Sequence, residues 1–156
     1  MPKLRATTDG VVIIRPPQAG EQVTLIAGRD DEFHRWMGDG DPEPEPTGCI
    51  VVAGGVVGWV DYDVDRSWLE PGEVNIGYAV FASHRGHGYA SRAVELLLSR
   101  LATNTAHTVA TLLIDKENER SLAVAARTGF VPCWEIGDSR LLKRPLRTSG
   151  HQSVEA

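Results

Sequence analysis

The sequence predicts an α/β fold built as one domain. Three observations lead there: short β-branched runs bounded by glycine or proline, helical segments with one apolar face, and alternation of the two along the chain. The patterns give the order strand, two helices, hairpin, strand, helix, strand, helix and two strands. The 156 residues suit one ordinary domain, which we expect at 1–147, followed by a flexible tail at 148–156.

The first strand and the first two helices precede an acidic connector. VVIIR, from Val11 to Arg15, is β-branched and is ended by two prolines, which predicts a strand. Between Ala19 and Met37 the apolar residues have a weakly helical spacing, and Gly28 is expected to divide this segment into two helices. GDGDPEPEPTG alternates proline with acids, so it predicts an extended connector.

A hairpin and a further strand occupy the middle of the chain. CIVVAGGVVGWVDYDV has two apolar runs around Gly54-Gly55, a pair that can supply the positive φ angles of a two-residue turn. EVNIGYAVF alternates apolar residues with small or polar ones, which predicts a strand from Glu73 to Phe81.

Two helices and three strands complete the domain. A helix that begins near Tyr89 has an apolar face made of Ala90, Ala93, Val94, Leu97, Leu98 and Leu101. TVATLLI predicts a strand from Thr108 to Ile114, and a second helix runs from about Asn118 to Thr128, with Gly129 as its left-handed cap. FVPCWEIGDSRLLKRPL predicts a strand, a turn and a strand.

Composition and charge exclude several classes of protein. The net charge of −5 argues against nucleic acid as the main partner. No segment approaches the roughly 20 apolar residues of a membrane span or resembles a signal peptide, so we expect a cytoplasmic protein that binds no membrane. The 13 arginines and 3 lysines hint at a GC-rich bacterial genome. Cys49 and Cys133 are far apart and in no CxxC arrangement, and His84 and His87, three residues apart, have no third ligand in sight, so no metal is expected.

The loop SHRGHGYASRA, between a strand and a helix, has the composition of an anion site. Glycines let a phosphate approach the backbone, where N–H groups are free at the helix N-terminus, and Arg85 adds a charged donor. A P-loop motif is absent, and a dinucleotide fingerprint fails because its last position is Ser91 and the expected acid is missing. The pattern R-x-x-G-x-A is satisfied by Arg85, Gly88 and Ala90.

Two blocks of the sequence resemble a known family. Tyr78-Ala79-Val80 followed by RGHGYA at 85–90 is similar to the signature of the GNAT superfamily of acyl-CoA-dependent N-acyltransferases. DKENERSLAVAARTGF, at 115–130, resembles the second block of the branch that includes the ribosomal-protein alanine acetyltransferases (RimJ/RimL-like). In that block the matching positions are Asp115, Asn118, Ser121, Gly129 and Phe130. The resemblance covers about 11–146 and is strongest from 74 to 130.

The resemblance implies a GNAT fold with a mixed central sheet that is splayed apart after the strand from Val74 to Phe81. Acetyl-CoA would be the cosubstrate, and its pantetheine arm would pair with the backbone around Ala79 and Val80. Asn118 would reach the pantetheine. The pyrophosphate would be held by backbone N–H groups of Arg85, Gly86, His87, Gly88, Tyr89 and Ala90.

Acetyl transfer to an amine needs a neutral amine, a polarised thioester carbonyl and a proton for the departing thiolate. The resemblance implies that the Val80 N–H polarises the carbonyl and that Ser121 lies near the thioester sulfur, with no tyrosine nearby. Relatives often carry glutamate in an E-I-G-Y sequence, but this chain has Asn75 there. Glu73, on the same strand face one pleat away, is therefore the expected general base.

These features predict an N-acetyltransferase that moves an acetyl group directly from acetyl-CoA to a primary amine, such as a protein N-terminus, a polyamine or an aminosugar. From Asp30 to Glu73 there are 12 acids and 2 arginines, a net of −10, while the remainder carries +5. The acidic part would face the acceptor and attract a cationic amine by its electrostatic field. Alternatively, its acidic loops would only keep the protein soluble. Asn75 keeps open a non-catalytic acyl-CoA-binding module, and a plain interaction domain is a third hypothesis. A homodimer is compatible with the family.

Overall fold

One eight-stranded sheet with four α-helices makes up the part of the chain that the computed structural model describes, residues 4–146. The strands are β1 (Thr7–Thr8), β2 (Val12–Arg15), β3 (Gly48–Val52), β4 (Gly55–Asp63), β5 (Glu73–Val80), β6 (Val109–Asp115), β7 (Val131–Ile136) and β8 (Ser139–Pro145). The helices are α1 (Glu21–Ala27), α2 (Asp31–Met37), α3 (Tyr89–Asn104) and α4 (Glu119–Arg127), with a 3₁₀ turn at Ala82–His84. The expected tail at 148–156 lies outside the described residues.

The sheet is mixed, in the order β1-β2-β3-β4-β5-β6-β8-β7. Within residues 4–146, β5 and β6 are the only parallel neighbours. Their pairing is limited to three residues on each strand, 73–75 of β5 and 109–111 of β6. Beyond these rungs β5 continues to Val80 and β6 to Asp115 without pairing to each other. The sheet therefore opens between β5 and β6, as expected.

Helices cover the two faces of the sheet. On one face, Leu25 of α1 packs with Cys49, Val51 and the partly buried Trp59. On the other face, α3 contributes the buried positions Ala93, Val94, Leu97, Leu98 and Leu101 to the main core. This is the apolar face that the helical spacing predicts, with Ala90 partly buried at its edge.

The predicted elements are present, with one correction at the hairpin. The turn consists of Ala53 and Gly54, whose φ angles are 50° and 81°, and Gly55 already pairs with Val52 as the first residue of β4. The prediction that Gly54-Gly55 forms the turn was wrong by one residue. A two-residue turn of this type needs positive φ at both positions. The register, which shifts between Ile50 and Val51, places Ala53 in the turn despite its Cβ.

Candidate active site

A cleft of about 280 Å³ occupies the opening between β5 and β6. Four parts of the chain line it: the end of β5, the glycine loop before α3, one side of α2, and α4. Most of the residues expected to bind acetyl-CoA are brought together here, namely Ala79, Val80, Arg85, Gly86, Gly88, Tyr89, Ala90, Asn118 and Ser121.

The glycine loop presents a row of free backbone donors to the cleft. Gly86 and Gly88 have φ angles of 83° and 80°, a left-handed conformation that L side chains rarely adopt. Within residues 4–146, the N–H groups from Gly86 to Ala90 donate no hydrogen bond. The hydroxyl of Ser91, in the first turn of α3, is buried and has no partner among these residues. Such donors at a helix N-terminus fit the pyrophosphate of acetyl-CoA.

Arg85 lies beside this loop, but its donors are used elsewhere. Its guanidinium binds both carboxylate oxygens of Asp30, at 2.7 and 3.1 Å, and one oxygen of Glu32 at 3.1 Å. Its backbone N–H donates to the carbonyl of Ala82 at 3.3 Å. The expected phosphate contact is therefore corrected: Arg85 anchors α2 to the loop, and the free donors begin at Gly86.

His87 is the expected acetyl-CoA contact that does not line the cleft. Its ring stacks on Tyr89 with centroids 5.3 Å apart and an interplanar angle of 13°, and its Nδ1 lies 3.2 Å from the carbonyl oxygen of His84. Tyr89 and His84 do contribute to the lining.

The end of β5 directs backbone groups into the opening. Phe81 donates its N–H to Val57 of β4 at 2.8 Å, so the odd-numbered residues of this strand face β4. Backbone groups alternate along a strand, and those of Tyr78 and Val80 therefore point toward the divergent β6. Val80 has the N–H orientation that a polarising donor needs, whereas the N–H of Ala79 faces β4.

A tyrosine lies where none was expected. The hydroxyl of Tyr78 donates to Ser121 Oγ at 3.1 Å, and Ser121 N donates to the Asn118 side chain at 3.2 Å. Asn118 is thus the N-cap of α4. Burial raises the pKa of Tyr78 above its ordinary value of 10.0, so its hydroxyl is protonated at neutral pH. The prediction of no nearby tyrosine was wrong, because Tyr78 points across the opening to α4.

Glu73 lies outside the cleft, at the other end of β5. It is buried, and its carboxylate accepts from Lys143 Nζ at 2.6 Å and from the N–H of Glu70 at 3.1 Å. Five residues separate it from Tyr78, roughly 16 Å along the strand. The structure does not bring Glu73 together with Ser121, and this placement argues against its expected role as general base.

Asn75 occupies the last rung before the strands diverge. Its side-chain oxygen accepts from Thr111 Oγ1 at 3.1 Å, and both residues are buried. Trp68 Nε1 approaches the same hydroxyl at 3.4 Å. The residue that replaces the glutamate of E-I-G-Y is therefore part of a neutral hydrogen-bonded link between β5 and β6, at the base of the opening.

The chain matches the family model described as "Acetyltransferase (GNAT) domain" over residues 27–131. It belongs to the GNAT acetyltransferase family. This membership confirms the expectation of an acetyl-CoA-dependent acetyltransferase with acetyl-CoA as its cosubstrate. Comparison with curated protein sequences gives no match.

Solved structures of GNAT proteins share the fold at low sequence identity. A GNAT-family acetyltransferase from Bacillus anthracis superposes with a TM-score of 0.76 at 14% identity, covering 91% of this chain and 99% of that one. Mycobacterium smegmatis RimJ, in complex with CoA-disulfide, gives 0.71 at 21% identity, covering 92% and 88%. The aminoglycoside acetyltransferase AAC(6')-Ib, in complex with coenzyme A, gives 0.75 at 14% identity, covering 93% and 99%. The GNAT fold is confirmed.

Sequence reasoning missed residues of the GNAT cleft that come from distant parts of the chain. The sequence pattern could have indicated Tyr78 as a cleft residue, since alternation along β5 places it on the same face as Val80. It could also have indicated Ser91, because this hydroxyl lies in the first turn after a glycine loop. No sequence pattern indicated Glu32 and Arg127, which line the cleft from α2 and α4. Among residues 4–146, no group of acids, histidines and cysteines could hold a metal ion, and no helix could cross a membrane.

Proposed function

We propose that this protein is an N-acetyltransferase that transfers an acetyl group from acetyl-CoA directly to a primary amine while both are bound. One observation carries the proposal: the Tyr78–Ser121 pair lies in the opening of the sheet, in the same cleft as the free N–H groups of Gly86 to Ala90. A proton donor and an anion-binding loop are the two parts that a CoA thioester requires of the protein.

The chain's own groups have distinct tasks in this reaction. Acetyl-CoA, when bound, supplies the acetyl group and the thiol leaving group. The loop amides and the Ser91 hydroxyl bind the phosphates, and the Val80 N–H stabilises negative charge that develops on the carbonyl oxygen. Tyr78 gives the departing sulfur its proton, directly or through the Ser121 hydroxyl, because burial keeps the phenol protonated.

The acceptor's proton leaves to solvent in this proposal. Glu32 is the one carboxylate that lines the cleft within residues 4–146, and it is bound by Arg85 at 3.1 Å and by Arg120 at 3.3 Å. Its two oxygens are thus each engaged by a guanidinium group instead of being free to accept from the acceptor amine. Glu73 is outside the cleft. The rate should therefore rise with pH until the acceptor amine itself is neutral.

A non-catalytic acyl-CoA-binding module is not favoured. Its support is Asn75, which replaces a carboxylate, but the cleft keeps a partly buried tyrosine hydrogen-bonded to Ser121, which is a usable proton donor. The structural neighbours do not choose the acceptor, since RimJ and an aminoglycoside acetyltransferase match comparably well. The identity of the acceptor therefore has to be inferred from the residues on this chain's own surface.

Incubation with acetyl-CoA and a panel of primary amines tests the proposal. Mass spectrometry of the products should show a gain of one acetyl group on an amine, with one CoA thiol released per acetyl group transferred. Tyr78→Phe should bind acetyl-CoA but transfer slowly. Binding of acetyl-CoA without transfer to any amine on the panel would support the non-catalytic module instead.

The bacterial cytoplasm as the protein's location and a homodimeric assembly are parts of the same proposal. Sedimentation velocity at several concentrations would decide the assembly state. The location is supported only by the composition of the sequence.

A further inference from the structure

A second cavity, of about 250 Å³, adjoins the cleft on the other side of α2. Phe33 and Met37 of α2 line both spaces, so a molecule that fills the second cavity can extend toward the first. Its remaining walls come from β4 and from the acidic connector between α2 and β3. Nothing in the acetyl-CoA site described above accounts for this space.

The cavity has aromatic walls and a carboxylate at its base. Trp59 and Asp61 are on the β4 face that points away from the main core, and Phe33 faces them from α2. Asp61 pairs with Gly77 in the β4–β5 ladder, so it lies beside the residue that precedes Tyr78. From Gly77 to Val80 is roughly 10 Å along the strand.

One oxygen of Asp61 is fixed and the other is open. Oδ1 accepts from Thr47 N at 3.1 Å, Thr47 Oγ1 at 2.5 Å and Tyr62 N at 3.0 Å. Oδ2 takes no hydrogen bond from any of residues 4–146, and Asp61 has no cationic partner among them. Within the described part of the chain, the carboxylate is thus held in place with no cation paired to it.

The other charges of the cavity are also unbalanced. Asp41 and Glu45 line it and form no ion pair within the described part of the chain. Arg29, the cation of the lining, directs its guanidinium to the backbone carbonyls of Asp39 and Asp41, at 3.5 and 2.6 Å. The guanidinium also lies 5.2 Å from the centre of the Phe33 ring. Three carboxylates therefore line the cavity together with one cation, which is held by backbone carbonyls and forms no ion pair among residues 4–146.

We propose that this cavity binds a second, non-reacting ammonium group of the acceptor, and that the acceptor is a small aliphatic diamine or polyamine. The inference rests on the proposed N-acetyltransferase function. The reacting nitrogen must be neutral when it attacks, so fixed carboxylates suit a nitrogen that stays charged. Asp61 supplies the ion pair, and Trp59 supplies an aromatic face on which a cation is stabilised. The volume of the cavity, about 250 Å³, suits a small molecule. The distance of roughly 10 Å from Gly77, beside Asp61, to Val80 suits a short methylene chain between the two amines.

A pair of amines of equal length isolates the second charge. We compare kcat/KM for 1,5-diaminopentane and hexylamine, which differ in whether the far end is an ammonium or a methyl group. The wild-type protein should favour the diamine by about tenfold or more, as expected for a hydrogen bond to a charged group. Asp61→Asn keeps the oxygen bound by Thr47 and should reduce this preference through KM, with little change in kcat.

A matched pair of variants in the connector separates contact from general electrostatic attraction. Glu45 lines the cavity, while Glu43, two residues earlier in the same exposed segment, does not. Glu45→Gln should lower kcat/KM for the diamine and leave hexylamine unaffected, whereas Glu43→Gln should change neither. Equal effects of the two substitutions would overturn the cavity as the binding site, because they would show that only the net charge of the connector affects kcat/KM.

The outcomes distinguish this inference from the proposed function. Equal kcat/KM for 1,5-diaminopentane and hexylamine overturns the inference and leaves the proposed N-acetyltransferase function intact. The same holds if the protein acetylates other amines on the panel but neither of these two. Failure to acetylate any amine overturns the proposed function itself.

Discussion

The hydroxyl of Tyr78 and Oγ of Ser121 lie 3.1 Å apart, joined across the opening where β5 and β6 have separated. Tyr78 comes from the strand and Ser121 from the first turn of α4, with 43 residues between them in sequence. The bond puts a protonated phenol in the lining of the cleft. The proposed proton donor for the leaving thiolate is therefore this pair of residues.

Removal of the Tyr78 hydroxyl should affect turnover more than binding. Tyr78→Phe should lower kcat by roughly 10²- to 10⁴-fold, the range of general acid catalysis, with KM for acetyl-CoA changed only slightly. Ser121→Ala should have a smaller effect, and the double variant should be no worse than Tyr78→Phe, because the two act as a unit. Additive losses in kcat would show that they act separately.

Loss of the Glu73 carboxylate should affect stability and leave the chemistry unchanged. Glu73→Gln removes the 2.6 Å charged partner of the partly buried Lys143, which keeps only Glu70 at 3.9 Å, and this should cost about 2 kcal/mol and lower Tm by roughly 4 to 8 °C. Below the new Tm, kcat and its pH profile should match those of the wild type. A stable Glu73→Gln protein with a lost acidic limb in its pH profile would restore Glu73 as the base.

The ion pair between Arg85 and Asp30 should make stability depend on acid pH. The Arg85 hydrogen bond lowers the pKa of Asp30 from 3.8 to about 2. Because the pKa of Asp30 is lower in the folded than in the unfolded chain, the carboxylate stabilises the folded state at any pH above the unfolded-state pKa. This contribution is lost as pH falls from about 4 to about 2. Asp30→Asn should lose about 1 to 2 kcal/mol at pH 7 and show a shallower acid loss than the wild type.

Chemical denaturation at pH 7 and at pH 3 measures this difference. Asp31→Asn is the matched control, because Asp31 is the next residue, is exposed and has no ion pair within residues 4–146. Parallel stability curves for wild type and Asp30→Asn over this pH range would contradict the assignment.

The two thiols should react very differently. Burial raises the pKa of the Cys49 thiol to about 11, whereas Cys133 is exposed on β7. A thiol reagent at pH 8 should modify one equivalent per native chain and two after denaturation. Mass spectrometry should locate the first label on Cys133. Rapid modification of Cys49 in the native protein would contradict its burial, and Cys133→Ser would make thiol-release assays cleaner.

Local patterns predicted the elements, since period, glycine and proline act over a few residues. α4 begins at Glu119, directly after its N-cap Asn118, and ends before Gly129, as the capping residues indicate. The hairpin turn was missed by one residue because the pairing register with β4, rather than local preference, selects the turn residues.

The site was only partly predictable, because side-chain partners come from distant segments. The glycine loop was recognised from its sequence. The attachment of Arg85 to α2 required knowing that Asp30, 55 residues earlier, lies beside it. Glu73 was taken for a base because it is near Asn75 in sequence, whereas Lys143, 70 residues later, determines its surroundings.

The most direct test of the central claim is calorimetric titration of acetyl-CoA into wild type, Gly88→Ala and Gly20→Ala. Both glycines are N-caps with left-handed φ, 80° and 85°, and a Cβ at either would meet nothing within 4 Å. Both substitutions should therefore cost about 1 to 2 kcal/mol of stability. Only Gly88 lines the cleft. We predict at least tenfold weaker binding for Gly88→Ala and unchanged binding for Gly20→Ala. Equal affinities in all three proteins, or no binding by the wild type, would contradict the assignment of this loop to CoA.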